Sequence, residues 1–274
     1  MKAGAIEAAF RAACLAELDA LKPGNVHRFS AGHGMEVAHF ERAAAAAAPF
    51  IAAPGARVGT RIEGAVEASL KVAGLNTNLG IVLLCAPLAA AAERAGPLRA
   101  RLQDVLDSLD IADAEAAFRG IAAANPGGLG RQDEHDVAGP ARIGLREAMA
   151  LAAERDLVAR QYANGFADLF DIGLARFEAL DGAEPEARTE AVHLAFMAAF
   201  PDSHILRKFG AGTAEQVWRE AAELLPRIDF RAPAEERHRP LAAFDAALKA
   251  RGLNPGTSAD LTVATLFAAA LVSR

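Results

Sequence analysis

Residues 79–92 form the longest apolar run of the chain and read LGIVLLCAPLAAAA. A helix that crosses a bilayer needs about 20 apolar residues, whereas this run is shorter and contains Pro87. An apolar helix of this length is typical of the interior of a folded protein, because it has no polar side to expose. We therefore expect residues 79–92 and the similarly apolar residues 257–272 to lie at the centre of the fold.

Apolar residues recur at three- or four-residue spacing throughout the chain, which is the period of an α-helix. The first such pattern consists of Ile6, Phe10, Cys14, Leu18 and Leu21. Similar patterns predict further helices at roughly 35–52, 59–73, 79–95, 97–109, 113–124, 140–160, 162–180, 186–199, 213–225, 235–251 and 257–272. No segment shows convincing strand alternation, and alanine is abundant. The prediction is an all-α, single-domain bundle of ten or more helices over residues 1–274.

The composition excludes several classes of protein. The net charge of −6 argues against a general nucleic-acid binder, whose surface would be basic. Cys14 and Cys85 lie in apolar helical patterns without metal-ligand spacing, so both are predicted to be reduced core residues. Charges at Glu7 and Arg11 in the first helix argue against a signal peptide. We expect a cytoplasmic protein that binds neither nucleic acid nor a membrane.

A dense polar cluster follows the first predicted helix, around the turn at residues 23–24. Its candidate ligand-binding side chains are Lys22, Asn25, His27, Arg28, His33 and Glu36. Cations and imidazoles on a rigid corner suit an anion such as a phosphate, and a carboxylate there is available for a metal or a proton. A polar loop that only connects two helices is the alternative.

Two further clusters open the two most apolar helices. Asn76, Thr77 and Asn78 precede residue 79, and Ser258 and Asp260 belong to the start of the last helix. Capping explains both clusters: Thr77 or Asn78 would satisfy the first free amides of the one helix, and the hydroxyls near residue 258 those of the other. The positive end of a buried helix is also a ready site for an anion, so phosphate binding at residues 76–78 remains open beside capping.

Acidic residues concentrate in a glycine-rich stretch at residues 126–137. Asp133, Glu134 and Asp136 follow its glycines, and carboxylate oxygens suit Mg²⁺, which usually takes one or two of them and completes its shell with water and phosphate. A flexible acidic surface loop is the alternative. Glu63, inside an earlier helical pattern, is either a further catalytic candidate or a solvated helix charge.

A basic and acidic corner follows Pro201. Asp202 begins it, and Arg207 and Lys208 lie one turn further along the chain. Residues 202–204 read Asp-Ser-His, but three near-adjacent residues seldom reach the geometry of a nucleophilic triad. The pattern instead favours a corner that faces a phosphorylated ligand.

Taken together, these motifs resemble the triphosphoribosyl-dephospho-CoA synthase family. The resemblance rests on Lys22-Pro23-Gly24 with Gly32-His33 beyond it, on Asn76-Thr77 before Gly80, and on Pro255-Gly256 with Ser258-Ala259-Asp260-Leu261. These elements span nearly the whole chain in the family's order. The resemblance implies an all-α fold and a reaction that joins ATP to 3′-dephospho-CoA through ribose C1′, with release of adenine.

The chain departs from the family pattern in places. The family is expected to carry Val-Asn-Thr-His-Lys-Gly at residues 75–80 and Gly-Leu-Val-Asp at residues 24–27, whereas this chain has Leu-Asn-Thr-Asn-Leu-Gly and Gly-Asn-Val-His. A divergent branch is one interpretation: a transferase or ligase acting on a phosphorylated intermediate of one-carbon cofactor biosynthesis, of the methanopterin or methanofuran type. A non-catalytic, nucleotide-binding helical protein is another.

Displacement of adenine from a ribosyl carbon passes through an oxocarbenium-like state, which needs a stabilising carboxylate, an acid and a base. The catalytic candidates are Glu63, Asp136 and Asp202. The substrate-binding candidates are Lys22, Asn25, His27, Arg28, His33, Asn76, Thr77, Asn78, Arg207, Lys208 and Ser258. The metal candidates, for Mg²⁺, are Glu36, Asp133, Glu134 and Asp260. ATP and a phosphorylated acceptor are the expected partners, and a homodimer is left open.

Overall fold

A computed structural model describes residues 1–32, 34–125 and 139–272. These ranges contain fourteen α-helices and no sheet, which confirms the all-α prediction for the described part of the chain. The helices are α1 (Ala3–Asp19), α2 (Val37–Ile51), α3 (Val58–Ala73), α4 (Leu79–Ala92), α5 (Leu98–Asp107), α6 (Ile111–Ala124), α7 (Leu145–Ala152), α8 (Leu157–Asn164), α9 (Ala175–Ala179), α10 (Pro185–Ala199), α11 (Ser203–Phe209), α12 (Ala211–Leu224), α13 (Ala234–Ala250) and α14 (Gly256–Val272).

The two most apolar helices lie at the centre, as their composition predicts. Eleven of the fourteen residues of α4 are buried, and α14 packs against both α4 and α1. Phe10 of α1 meets Phe267 of α14 edge to face, with ring centroids 5.9 Å apart. The buried hydroxyls of Thr262 and Thr265 donate to the carbonyls one turn earlier in α14, so that these polar atoms are paired inside the core.

A second apolar cluster lies beside this core. It joins α10, α12 and α13 through residues such as Leu194, Val217 and Leu241. None of the helices in the described ranges is both long and apolar enough to cross a membrane.

The region after residue 139 differs from the sequence-based prediction. The helix predicted at 140–160 is two helices, because the Asp156 carboxylate accepts hydrogen bonds from Val158 N at 2.8 Å and Ala159 N at 3.1 Å and thereby starts α8. The helix predicted at 162–180 contains a π-helical segment, Leu169–Leu174, before α9. The short helix α11 was not predicted.

Candidate functional site

The starts of α4 and α14 meet at Gly80 and Asp260. A methyl group on Gly80 would overlap the Asp260 carboxylate, so the two helices approach as closely as they do only because residue 80 has no side chain. One turn earlier in α14, a methyl group on Gly256 would lie 3.1 Å from Nδ1 of His204 in α11. Six partly exposed residues line this junction, and we call them the polar face: Asn76, Thr77, Gly80, His204, Gly256 and Asp260.

Beneath the polar face, Asp202 joins α11 to α14. Its Oδ1 accepts hydrogen bonds from His204 N at 2.8 Å and Ile205 N at 3.3 Å, which cap α11. Its Oδ2 accepts from both the backbone N and the hydroxyl of Ser258, each at 2.8 Å. Burial raises the pKa of the Asp202 carboxyl, and these four hydrogen bonds oppose the shift. Both oxygens of Asp202 are therefore occupied by protein donors.

Lys22 lies fully inside the protein, next to the same junction. Its ammonium forms an ion pair with Glu17 and donates to Asn25 Oδ1 at 3.1 Å and to the Val26 carbonyl at 2.7 Å. Asn25 in turn donates to Asn254 Oδ1 at 2.8 Å, just before α14. Burial lowers the pKa of Lys22, and the charge of Glu17 opposes that shift. Since all three N–H groups of Lys22 have partners, a phosphate could bind it only by exchanging one of them.

These contacts define a buried layer under the polar face. Its members are Glu17, Lys22, Asn25, Asp202, Asn254 and Ser258. The structure thus brings four of the five sequence clusters together, although they lie up to about 230 residues apart in the chain. The fifth cluster, with Asp133, Glu134 and Asp136, falls outside the described residues, as does His33.

Asp260 has a different environment from Asp202. Among the described residues, no hydrogen bond or ion pair to its carboxylate is found. Its removal from water raises its pKa well above the ordinary value, and the negative charges of Asp202 and Glu17 raise it further, while Arg207 acts in the opposite direction. Asp260 is therefore a carboxyl group that holds its proton more tightly than an exposed aspartate.

The polar side chains before α4 are only partly used by the protein. Asn76 Oδ1 accepts a hydrogen bond from Leu79 N at 3.2 Å, so the free amide is satisfied by Asn76 and not by Thr77 or Asn78 as predicted. Asn78 Nδ2 donates to Ser69 Oγ at 3.0 Å. The buried hydroxyl oxygen of Thr77 has no partner among the described residues. Thr77 thus offers an unused hydroxyl at the positive end of α4.

His27 is buried and contacts α13. Its Nε2 lies 3.4 Å from Asp245 Oδ2 and 3.3 Å from Lys249 Nζ, and Asp245 Oδ1 also accepts from Gly24 N at 2.8 Å. Burial lowers the pKa of His27. These contacts hold the Pro23-Gly24 corner against α13.

Five other predicted residues lie outside the buried layer. Arg28 is exposed and pairs with Asp19 and Glu41, while Glu36 is exposed and its backbone N donates to His39 Nδ1 at 3.1 Å. Glu63 pairs with Arg119, between α3 and α6. Arg207 pairs with Asp156, and Lys208 is exposed at the end of α11. The structure does not bring Glu63 or Arg28 into the buried layer, so their predicted roles stay predictions.

In residues 1–32, 34–125 and 139–272, no group of three or more His, Cys, Asp or Glu side chains could hold a metal. Mg²⁺ bound there would take most of its ligands from water and phosphate, and the protein would supply one or two carboxylates at most. Magnesium therefore stays a prediction.

Sequence reasoning missed several residues of the site. Asp245 and Lys249, four residues apart, have the spacing of an ordinary surface pair on a helix. Glu17 has a clearer signal, since it lies three residues after Cys14 and four before Leu21 on an otherwise apolar helix face. A charge at such a position must be paired when it is buried.

A larger depression of about 550 Å³ lies elsewhere on the molecule, lined by residues such as Leu106, Asp110 and Arg146. None of the sequence-predicted site residues lines it. Its lining is therefore separate from the polar face and the buried layer.

Residues 3–274 match the model of the CitG family, ATP:dephospho-CoA triphosphoribosyl transferase. The chain belongs to this family. This confirms the resemblance that the sequence motifs indicate. As a member of this family, the protein is a transferase. The reaction that the family and the structural similarity indicate is triphosphoribosyl transfer from ATP to dephospho-CoA.

A solved structure supports the same assignment. The fold is similar to a crystal structure from Archaeoglobus fulgidus of a protein assigned as a triphosphoribosyl-dephospho-CoA synthase. The TM-score is 0.65 at 26% sequence identity, and the similarity covers 83% of this chain and 96% of the archaeal chain. No curated protein matches the sequence significantly.

Proposed function

We propose that this transferase joins the triphosphoribosyl group of ATP to a hydroxyl of 3′-dephospho-CoA at the polar face, with release of adenine. The observation that carries the location is Asp260, a carboxyl group with a raised pKa and no protein partner among the described residues, set where two long helices begin. A protonated carboxyl group is what the departing base needs.

The reaction exchanges one bond at ribose C1′ for another. The bond from C1′ to the adenine nitrogen breaks, and the acceptor oxygen forms a new bond to C1′. Adenine is a poor leaving group unless one of its nitrogens gains a proton, and Asp260 supplies that proton. The positive charge that develops on the ribose is stabilised by nearby negative charge, which Asp202 contributes from the buried layer.

The triphosphate needs positive charge and N–H donors. The amino-terminal end of α4, a helix of fourteen residues, faces the junction with Thr77 beside it, and such helix ends favour anions. Arg207 adds a guanidinium whose charge reaches Asp260. Mg²⁺ would arrive with the triphosphate as part of the substrate.

The test is mass spectrometry of the purified chain incubated with ATP, Mg²⁺ and 3′-dephospho-CoA. Adenine and the coupled product should appear in equal amounts. Asp260→Asn should lower turnover by about 10²–10⁴-fold, the usual contribution of a general acid. Asp171→Asn is the matched control, because Asp171 is an exposed acid paired with Arg99 at 2.6 Å on the surface.

Two results would overturn the proposal in different ways. Adenine release without a coupled product would mean that another acceptor is used. An Asp260→Asn variant as active as Asp171→Asn would remove Asp260 from the reaction and with it the proposed location.

A further inference from the structure

Glu17 is a buried acid that has no role in the reaction proposed above. It lies in α1, is 4% exposed, and lines a small crevice with Phe40 of α2 and Asn78, the residue before α4. The crevice measures about 10 Å³, which is room for a single group of the size of a water or a hydroxyl. Apart from Glu17 and Asn78 the lining is apolar, with Cys14, Leu18, Ala44 and Ile81 beside Phe40, and Asn78 lies next to Thr77 and two residues before Gly80 of the polar face.

The carboxylate of Glu17 is held on one side only. Lys22 is its ion-pair partner, and no second donor to it is found among the described residues. Lys22 is itself fixed by Asn25 and by the Val26 carbonyl, so the pair has a defined position. Burial raises the pKa of Glu17 while the Lys22 charge opposes the shift, and a carboxylate of raised pKa is a stronger proton acceptor.

The other acids near the junction are less suited to accept a proton. Both oxygens of Asp202 already accept two hydrogen bonds each from the protein. Asp260 holds its proton and serves as the acid in the proposed function. Where two carboxyl groups lie in different environments, one can act as the acid and the other as the base of a reaction.

We propose that Glu17 is the general base of the reaction and that Lys22 holds it in place. The acceptor places its hydroxyl in the crevice beside Asn78, and the rest of the acceptor stays on the polar face. The O–H bond breaks as the oxygen bonds to C1′, and its proton passes to Glu17. Asp260 gives its proton to adenine, and return of the proton from Glu17 to Asp260 completes the cycle without a net change.

This inference rests on the proposed function, and its test begins with the pair rather than with Glu17 alone. Glu17→Gln leaves the Lys22 ammonium buried without a counter-charge and endangers folding. The double variant Glu17→Gln with Lys22→Met removes both charges at nearly constant volume, a change that buried ion pairs often tolerate. Its fold is checked by circular dichroism, and its turnover by release of adenine and of coupled product.

A folded double variant should lose about 10²–10⁴-fold in kcat, with KM for dephospho-CoA changed much less. The acidic limb of the pH profile of kcat, which reports the base, should disappear from its residual activity. The control is Arg61→Met with Glu93→Gln, which removes an ion pair of 2.8 Å between the buried Arg61 and the partly exposed Glu93, away from the polar face. This control should keep its turnover wherever it is folded.

A folded double variant with turnover within about threefold of the wild type would overturn the inference, since the pair would then be structural only. Loss of the fold in this double variant, with the Arg61 and Glu93 control still folded, would overturn the inference as well. The need for folding would then explain the buried pair without a catalytic role. Absence of adenine release from the wild type would instead count against the proposed function.

Discussion

The carboxylate of Asp202 accepts two hydrogen bonds from Ser258 through one oxygen, from its backbone N–H and from its hydroxyl, each at 2.8 Å. The other oxygen of Asp202 caps α11. One side chain thus ties the start of α11 to the first turn of α14, across 56 positions of the sequence. Asp260 lies two residues beyond Ser258, so this contact also sets where Asp260 stands.

Ser258→Ala is expected to weaken this junction. It removes one hydrogen bond to a buried carboxylate and leaves the backbone hydrogen bond in place. Hydrogen bonds to charged groups contribute about 1.5–3 kcal/mol, so the free energy of unfolding in urea should fall by about that amount. Ser108→Ala serves as the control and should change stability less, because the exposed Ser108 hydroxyl donates only to the uncharged Val105 carbonyl, at 2.7 Å. Equal losses in the two variants would contradict a specific role for the Asp202–Ser258 contact.

Asp260→Asn should stabilise the protein in a pH-dependent way. Folding raises the pKa of Asp260, so the folded state favours the protonated form and wild-type stability falls as the pH rises above the unfolded-state value of about 3.9. Asparagine never ionises. The gain in unfolding free energy over the wild type should therefore be larger at pH 8 than at pH 4, as measured by urea unfolding at both values. A gain independent of pH would show that ionisation of Asp260 does not oppose folding.

Gly80→Ala should impair activity without unfolding the protein. A methyl group at position 80 overlaps the Asp260 carboxylate and must displace it. Alanine is a better helix former than glycine by about 1 kcal/mol, which offsets part of the cost in stability. We expect kcat to fall by at least about tenfold, on the general ground that small displacements of catalytic groups are costly. Gly212→Ala is the control, because a methyl group there meets no atom within 4 Å.

Lys22 and Arg28 should respond differently to replacement by methionine. Lys22→Met leaves Glu17 buried and unpaired, and breaking such a pair from one side costs about 3–5 kcal/mol. Arg28→Met removes exposed ion pairs to Asp19 and Glu41, which contribute about 0–1 kcal/mol. Urea unfolding measures both changes. If Arg28 also binds phosphate as its sequence suggests, KM for ATP should rise in Arg28→Met, and an unchanged KM would exclude that role.

Local features of this protein followed from its sequence. The buried centre of the fold consists of the apolar residues 79–92 and 257–272, as predicted. A helix that is apolar on all sides is stable only where it is shielded from water. Capping at residues 76–78 was also predicted, because a cap depends on neighbours in the chain, but the residue that accepts the hydrogen bond is Asn76 and not Thr77 or Asn78. The motifs themselves identified the family before any contact was known.

The tertiary structure decided which charged residues are buried and what each of them does. The sequence does not show that Glu17 lines a crevice with Lys22 as its ion-pair partner, or that both oxygens of Asp202 accept hydrogen bonds from α11 and α14. The pKa of Asp260 likewise depends on Asp202 and Glu17, which lie 58 and 243 positions away. Burial and charge at such distances are properties of packing, and the local sequence around each residue does not contain them.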